Sequence, residues 1–230
     1  EVLRAPAVSD LDGDGYPDLI RLAQNAGPAI SFGSATGFGA FQSSASGSNG
    51  TAGRILDLDG DGRPDFLSVR AQTNGPLRVS INGPSGLGAF VAYGALGTPA
   101  GVDAGDLDGD GIVDAVTANT ASNNLAVFHG IGAGAFGAPQ FLPAGTFPSS
   151  VVASDLDGDG DLDLAVTNRN SDAVGVLLGD GAGSFAAQQT FATYSKPSPL
   201  LAVDLNHDGK LDLVAADATT NKLSILLALP

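Results

Sequence analysis

The residues of this chain that could do chemistry are aspartates at alternate positions of a nine-residue phrase. One copy reads Asp106-Leu-Asp-Gly-Asp-Gly-Ile-Val-Asp114, with carboxylates at positions 1, 3, 5 and 9. Ca²⁺ needs about six to eight oxygen ligands, and acids at alternate positions of a tight loop can point at one centre. Gly111 at position 6 allows the sharp turn, and the carbonyl of Ile112 would add a backbone oxygen. The phrase therefore predicts a calcium loop.

The phrase occurs five times, at starts that are 47, 49, 49 and 49 residues apart. This predicts up to five Ca²⁺ ions, one per repeat, held by side chains at positions 1, 3, 5 and 9 and by the carbonyl at position 7. The predicted ligands are Asp10, Asp12, Asp14, Tyr16 and Asp18; Asp57, Asp59, Asp61, Arg63 and Asp65; Asp106, Asp108, Asp110, Ile112 and Asp114; Asp155, Asp157, Asp159, Asp161 and Asp163; and Asp204, Asn206, Asp208, Lys210 and Asp212.

Two other interpretations of the phrase are less consistent with the residues. An acidic surface turn would explain one copy, since Asp and Gly suit turns, but five copies would leave many uncompensated carboxylates. An EF-hand needs a Glu at position 12 and a following helix. A strand-like segment follows position 9 instead, and no residue at position 12 is acidic. These residues are Arg21, Ser68, Thr117, Val166 and Ala215.

The fifth copy differs from the other four. Asn206 replaces Asp at position 3, which keeps an oxygen ligand but removes one negative charge. His207 replaces Gly at position 4, which points away from the metal, so we expect a solvated loop residue. The fifth site is therefore expected to be the weakest.

Composition excludes several classes of protein. The chain has 230 residues with 33 Gly, 13 Pro and no Cys, Met or Trp, which suits one turn-rich β domain. Its net charge is −15, but nineteen of the 25 acids stand at the side-chain ligand positions 1, 3, 5 and 9, and five Ca²⁺ would bring the charge to −5. Nucleic-acid binding is not expected because no basic stripe exists. No segment approaches the length of a transmembrane span.

The repeats predict an all-β fold, a β-propeller of five four-stranded blades of roughly 49 residues in a single domain, 1–230. Four short strands per unit of about 40–50 residues are typical of propeller blades. In the fourth repeat the predicted strands A to D are 151–154, 162–167, 173–178 and 188–193, with A innermost. The repeats are approximately 1–47, 48–96, 97–145, 146–194 and 195–230.

A second repeated phrase, Gly-x-Gly-x-Phe, ends at Phe41, Phe90, Phe136 and Phe185. No helix or Lys-Ser/Thr follows it, so a phosphate-binding loop is not indicated. We expect the glycines to supply positive-φ positions in the turn between strands C and D, with the Phe packed between neighbouring sheets. Metal loops and glycine turns should then share one face of the propeller.

The fifth repeat lacks a D strand, so either the ring closes by packing or the chain is part of a longer propeller. The apolar segment 223–229 would be an open edge, which other chains can extend. We expect the N-terminal segment 1–4 or a partner to cover it, and self-assembly through this edge is a further expectation.

The phrase Asp-x-Asp-Gly-Asp-Gly-x-x-Asp, the following strands such as Leu164-Ala-Val-Thr167 and the Gly-x-Gly-x-Phe turn resemble the FG-GAP/VCBS repeat family, found in integrin α-subunits and secreted bacterial proteins. The resemblance covers essentially the whole chain. It implies calcium-rigidified hairpin loops and roles in adhesion, ligand binding or as an accessory domain. Rings of the integrin type usually have seven blades.

The remaining titratable groups do not suggest catalysis. The one Glu is Glu1, and Asp103 on an inner strand is best interpreted as the partner of Arg54 one repeat earlier. His129, at the exit of a C strand, is interpreted as a surface residue. We therefore expect a secreted, extracellular or cell-surface, non-catalytic module for binding, adhesion or scaffolding, with a protein or glycan partner. A lectin-like propeller and a structural subunit of an extracellular filament or matrix are the alternatives.

Overall fold

The computed structural model of the chain describes residues 7–23, 27–40, 42–43, 52–84 and 86–228. All regular structure within these ranges is β-strand, arranged as successive antiparallel sheets. Sheet 1 contains β1 (Ala7–Ser9), β2 (Asp18–Ala23), β3 (Gly27–Ser31) and β4 (Gln42–Ser43). Sheet 2 contains β5 (Ala52–Leu56), β6 (Asp65–Val69), β7 (Gly75–Ser80) and β10 (Val91–Leu96), with a small hairpin of β8 (Asn82–Gly83) and β9 (Gly86–Leu87).

The later repeats follow the same plan. Sheet 3 contains β11 (Pro99–Gly105), β12 (Asp114–Asn119), β13 (Asn124–Phe128) and β16 (Gln140–Pro143), with a hairpin of β14 (Gly130–Gly132) and β15 (Ala135–Phe136). Sheet 4 contains β17 (Pro148–Ser154), β18 (Asp163–Asn168), β19 (Ala173–Leu177) and β20 (Gln189–Ala192). Sheet 5 contains three described strands, β21 (Pro197–Val203), β22 (Asp212–Asp217) and β23 (Leu223–Leu226).

Each four-stranded sheet pairs its strands in chain order, A to B to C to D, as the repeats predict. The strands predicted for the fourth repeat correspond to β17, β18, β19 and β20, with bounds that differ by three residues at most. Tandem antiparallel sheets of this kind, with no helix among the described residues, form a β-propeller architecture.

The B strands are the most deeply buried part of sheets 2 to 5. All six residues of β12 and of β18 are buried, although Thr117 and Thr167 interrupt their apolar runs. Each of these strands is paired on both edges and covered on both faces by neighbouring sheets, which favours the apolar and β-branched residues in its middle.

The A strands are innermost, as predicted, because β5, β11, β17 and β21 contact one another in series. Arg54 and Asp103 pair between two of these strands, with Nε and Oδ1 2.7 Å apart. The other carboxylate oxygen, Oδ2, accepts a hydrogen bond from the backbone N–H of Ala153 at 3.0 Å. Asp103 therefore ties three successive inner strands together, which confirms its interpretation as a structural ion pair.

Apolar residues from adjacent sheets form the core in separate clusters. One cluster joins sheets 2 and 3 through Leu67, Leu77 and Phe128. The phenylalanines of the glycine turns lie in such clusters, as predicted: Phe90 between sheets 1 and 2, Phe136 between sheets 2 and 3, and Phe185 between sheets 3 and 4. Phe41, which follows the first turn, lies outside the described residues.

The predicted outer strand of the fifth repeat is shorter than expected, since β23 ends at Leu226. Among the described residues, β23 pairs with β22 on one side and has no strand on the other. The N-terminal segment 1–4, one of its predicted covers, lies outside the described residues. Within those ranges, no helix is long and apolar enough to cross a membrane.

Candidate metal centres

Each acidic phrase forms the loop between the A and B strands of its sheet. Positions 4 and 6 both adopt the left-handed backbone region, as at Gly109 and Gly111 with φ of +72° and +83°. Sequence reasoning assigned a turn role to position 6 alone, although Gly recurs at position 4 in four copies. In the fifth loop His207 holds position 4 with φ of +61°, and its side chain is exposed as predicted.

The loop backbone orients the carboxylates at positions 1, 3 and 5. In the third loop Asp106 accepts hydrogen bonds from the N–H groups of Gly109 at 2.8 Å and Gly111 at 2.9 Å. The N–H of Ile112 donates to Asp110 at 2.8 Å. Position 1 accepts from position 6 in all five loops. Its other oxygen accepts from position 4 in the first four loops, but from the N–H of Asp208 at position 5 in the fifth. These bonds hold the acids in place before any cation binds.

Position 9 has a different role from the acids at positions 1, 3 and 5, which are partly or fully exposed. Asp114 is fully buried; its Oδ2 accepts from the N–H of Leu107 at 2.8 Å and its Oδ1 from the N–H of Gly130 at 2.6 Å. The same pair of bonds occurs at position 9 of every loop, to the position-2 N–H and to an N–H just past the C strand. This aspartate therefore joins the metal loop to the glycine-turn side of its own sheet, and the two lie on one face as predicted.

Burial affects the pKa of three of these carboxyls. Desolvation raises the pKa of Asp65, Asp114 and Asp163, against the lowering effect of the two backbone hydrogen bonds that each accepts. Nearby loop carboxylates raise these pKa values further, Asp108 in the case of Asp114. A divalent cation would offset both costs, because an opposite charge favours the ionised form.

Acidic oxygens converge in the first four loops. In each, three carboxylates bring one oxygen apiece to within 4.8 Å of one another. The sets are Asp10, Asp12 and Asp18; Asp57, Asp59 and Asp61; Asp106, Asp108 and Asp110; and Asp155, Asp157 and Asp163. An all-oxygen, multiply charged donor set suits a hard cation such as Ca²⁺, so the residues present fit this ion.

The fifth loop keeps the hydrogen bond from position 6 to position 1 but has one carboxylate fewer than the other loops. The side-chain amide of Asn206 donates to Asp208 Oδ2 at 2.9 Å, where the other loops have two carboxylates facing each other. This contact relieves the repulsion that a cation would otherwise neutralise. The position-7 residues Tyr16, Arg63, Ile112, Asp161 and Lys210 all donate their N–H to position 5. Coordination by their carbonyls stays a prediction.

His129 is the residue that sequence reasoning misjudged. It is half-buried, and its Nδ1 lies 3.0 Å from Asp108 Oδ2 and 3.7 Å from Asp114 Oδ2. The sequence feature that could have identified this contact is the position of His129 directly before Gly130, whose N–H donates a hydrogen bond to Asp114. The residues at this place in the other repeats are apolar: Phe32, Ile81, Leu178 and Leu227. The third loop therefore differs from the rest in having a nitrogen donor beside its acids.

Most of the acids outside the loops are engaged by backbone groups. Asp172 accepts from the N–H of Lys196 at 2.8 Å, and Asp180 accepts from the N–H groups of Ala182 and Ser184 at 2.9 Å each. Hydrogen bonds from the N–H groups of Ser184 and Ala182 lower the pKa of Asp180. Such carboxylates stabilise turns.

Comparison with known proteins assigns the repeat. A profile described as FG-GAP-like repeat matches four overlapping stretches, residues 10–68, 57–117, 106–166 and 155–215. Each stretch begins at position 1 of one acidic phrase and runs past the next phrase. No curated protein matches the chain.

Solved structures share the fold at low sequence identity. An Agrocybe aegerita lectin, described by its recognition of non-reducing terminal N-acetylglucosamine, is 17% identical with a TM-score of 0.64 over 97% of this chain and 66% of that one. A functionally unknown protein from Desulfotomaculum acetoxidans is 14% identical, with a TM-score of 0.64 over 96% and 68%. BBS1N, in complex with ARL6DN, is 14% identical with a TM-score of 0.62 over 98% and 68%. The chain thus spans about two thirds of the length of these structures.

Proposed function

We propose, since this chain belongs to the FG-GAP-like repeat family, that it is a secreted calcium-binding β-propeller that serves as a non-catalytic binding, adhesion or scaffolding module. The observation that carries the proposal is the convergence of three carboxylate oxygens within 4.8 Å in each of four loops. The chain has 25 acids and 10 bases, so its own basic residues are too few to neutralise these loops, which a bound cation would do. Extracellular modules bind Ca²⁺ at about 10⁻⁴–10⁻³ M, which suits exposed loops of this kind.

Calcium would stabilise more than the loop itself. Position 9 ties each loop to the end of its own C strand, and position 2 packs against the next sheet: Leu107, for example, lies in the cluster that joins sheets 3 and 4. The first loop also receives a hydrogen bond from the second repeat, from Asn82 Nδ2 to the carbonyl of Leu11 at 2.7 Å. A cation that fixes the loop therefore fixes a contact between two sheets.

The non-catalytic assignment is supported by how the acids are used. Asp103, Asp172, Asp180 and Asp217 each accept backbone hydrogen bonds, and Asp103 also pairs with Arg54. A general acid or nucleophile needs a carboxyl directed at substrate space. These groups instead support turns and inner strands.

Of the two kinds of partner, we favour a protein over a glycan. The likeness to the Agrocybe lectin is one of fold. Sugars are commonly stacked on aromatic rings, and this chain has no Trp and three Tyr. Of these, Tyr16 and Tyr194 are exposed, and the ammonium of Lys222 lies 4.4 Å from the ring centroid of Tyr194 and covers one of its faces.

Thermal unfolding with and without Ca²⁺ tests the calcium proposal. Ligand binding to the folded state alone adds about 2.7 kcal/mol per site at a concentration 100 times Kd, so millimolar Ca²⁺ should raise Tm strongly over excess chelator. Equilibrium dialysis should find four strong ions per chain and one weak ion. An unchanged melting curve in chelator would reject the proposal.

A matched pair of variants distinguishes metal coordination by the loop from a general effect of removing negative charge. Changing Asp106 and Asp110 to Asn removes two negative charges from the predicted ligands of the third loop and should lower the stoichiometry by one ion. Changing Asp172 and Asp180 to Asn removes the same charge outside the loops and should leave it intact. Equal stoichiometry in both variants would contradict the assignment of the loops.

A further inference from the structure

The third metal loop brings two of its aspartates together with a histidine. His129 Nδ1 lies 3.0 Å from Asp108 Oδ2 and 3.7 Å from Asp114 Oδ2. These three residues offer donor atoms within 4.8 Å of one another, in addition to the all-oxygen set of the same loop. Of the three-residue donor sets in the described part of the chain, this one alone contains a nitrogen.

The Nδ1 atom of His129 has no hydrogen-bond partner among the described residues. The side chain is 32% exposed, but Nδ1 itself is shielded from solvent. Its contact with Asp108 has the length of a hydrogen bond but not the direction, so a protonated ring would leave the Nδ1–H undonated. Buried polar atoms nearly always have partners. A cation held between the three atoms would accept the nitrogen lone pair and neutralise the two carboxylates.

The spacing of the three donors fits a small divalent transition metal. Zn²⁺ bonds to His nitrogen at about 2.0–2.1 Å and to carboxylate oxygen at about 2.0–2.2 Å, so donors at the tetrahedral angle lie about 3.3–3.6 Å apart. The two separations at His129, 3.0 and 3.7 Å, lie on either side of this range. Imidazole nitrogen suits Zn²⁺, whereas Ca²⁺ takes oxygen ligands. The donor set therefore favours Zn²⁺.

The next repeat holds the imidazole ring beside the acids. Gly183, in the glycine turn of the fourth repeat, lies so close that a Cβ there would be 2.8 Å from His129 Cε1 and 3.2 Å from Asp108 Cβ. Its counterpart one repeat earlier, Gly134, packs on Ile81 in the same way. The histidine thus occupies a covered place that the second repeat gives to an apolar side chain, and its ring has little room to turn away from the loop.

Asp114 can coordinate a metal although both of its oxygens accept hydrogen bonds. A carboxylate has about four lone-pair sites, and the N–H groups of Leu107 and Gly130 use one on each oxygen. Such backbone bonds fix the orientation of a ligand, as outer-shell hydrogen bonds do in metal sites generally. Asp108 accepts a loop N–H on Oδ1, which leaves Oδ2 to face His129.

We propose that the third loop binds Zn²⁺ through Asp108, Asp114 and His129, and so differs from the other loops in the ion that it prefers. The inference rests on the proposed function, because it names the ion preference of one of the predicted calcium loops. Asp108 and Asp114 belong to the predicted calcium ligands as well, so Zn²⁺ and Ca²⁺ compete for this loop. Three protein ligands leave a fourth tetrahedral position for water or for a donor from outside the chain.

Retention of zinc in excess calcium tests the proposal on the full chain. Dialysis against micromolar Zn²⁺ and millimolar Ca²⁺ should leave one Zn²⁺ per chain, with both metals counted in the same sample by elemental analysis. His129→Ile, which matches Ile81 of the second repeat, should weaken Zn²⁺ binding by at least about tenfold, since even outer-shell partners of a metal are worth about 10–100-fold in affinity. Calcium binding by the other loops should not change.

The other histidine of the chain provides the matched control. His207 also lies in an acidic loop, but it is exposed at position 4 of the fifth phrase. His207→Gly restores the glycine of the other four phrases and should keep the bound Zn²⁺. NMR of the two imidazole rings in the parent chain adds a measurement that requires no change at His129. Zn²⁺ should shift the signals of His129 and leave those of His207, which the His207→Gly spectrum identifies.

The outcomes separate this proposal from the calcium proposal. Equal Zn²⁺ retention by the parent and His129→Ile, or equal shifts of both imidazoles, overturns the zinc site. A chain that retains no Zn²⁺ but binds Ca²⁺ also overturns it and leaves the calcium proposal standing. A chain that retains one Zn²⁺ through His129 but binds no Ca²⁺ supports the zinc site and overturns the calcium proposal.

Discussion

Sheets 3 and 5 carry the same repeat, yet their equivalent residues lie in different surroundings. Their loops begin 98 residues apart, at Asp106 and Asp204. Leu125 and Val127 on sheet 3 are completely buried, whereas their counterparts Leu223 and Ile225 are 58% and 52% exposed. The apolar pattern is the same in both sheets, so burial is set by the neighbouring sheet and not by the repeat alone.

The reason is that each sheet has two apolar faces. In sheet 3 one face packs on sheet 2 and the other on sheet 4. In sheet 5 one face packs on sheet 4, and the opposite face, with Leu201 and Leu205, is exposed in the described structure. Repeat proteins of this kind gain stability from nearest-neighbour interfaces, so equivalent substitutions in the two sheets should differ in cost.

The largest difference should come from truncating the shared leucine. Leu125→Ala removes a fully buried side chain and should lower the free energy of unfolding by about 2–5 kcal/mol. Leu223→Ala changes an exposed residue and should stay within about 0.5 kcal/mol. Urea denaturation at saturating Ca²⁺ measures both. Equal losses would mean that the exposed face of sheet 5 is covered in solution.

The buried aspartates give the second comparison. Asp114→Ala leaves the N–H groups of Leu107 and Gly130 without acceptors in the core and should cost about 2–4 kcal/mol. Asp212→Ala frees the N–H groups of Leu205 and Ala228, which lie closer to water, so the loss should be smaller. Measurement in chelator as well as in Ca²⁺ separates this effect from metal loss. A larger cost for Asp212→Ala would contradict the comparison.

The loops themselves should differ in calcium affinity. Asn206→Asp restores the charge that the fifth loop lacks and should tighten that site by the order of tenfold, because ligand charge tunes Ca²⁺ affinity over decades. Asp157→Asn makes the reverse change in the fourth loop and should weaken it similarly. Competition with a chromophoric chelator measures both. If the fourth site still binds Ca²⁺ more tightly than the fifth in both variants, the residue at position 3 does not determine the order of affinity.

The fold could be predicted because the same pattern of loop and strand segments occurs five times in the sequence. Period, strand order and the inner place of the A strands all follow from spacing and from apolar segments between fixed loops. The end of β23 at Leu226 could not be predicted, since Leu227 and the residues after it are equally apolar. What ends pairing there is the contact of the Ala228 N–H with Asp212, which depends on tertiary structure.

The types of ligand residue could be predicted from the sequence, but the different roles of the individual aspartates could not. Alternating acids identify a hard-cation loop, but they do not distinguish the exposed Asp110 from the buried Asp114. That difference arises because position 9 begins the B strand, which is covered on both faces. The contact of His129 with Asp108 is likewise a product of where the C strand ends.

The smallest effect should come from Asp217, which replaces the Asn119 of sheet 3 at the end of the B strand. Asp217 loses hydration on folding, but the N–H and hydroxyl groups of Thr219 and Thr220 outweigh this and hold its pKa below the ordinary 3.8. A depressed carboxyl pKa stabilises the fold above its unfolded value, and the contribution is lost as the pH falls below about 4. Asp217→Asn restores the residue of sheet 3 and should lower Tm modestly at pH 7, with the difference from the parent chain shrinking towards pH 3. The pair is compared across pH in saturating Ca²⁺, so that the titration of all other carboxyls cancels. A difference in Tm that stays constant from pH 7 to pH 3 would show that the ionised form of Asp217 is not what these threonines stabilise.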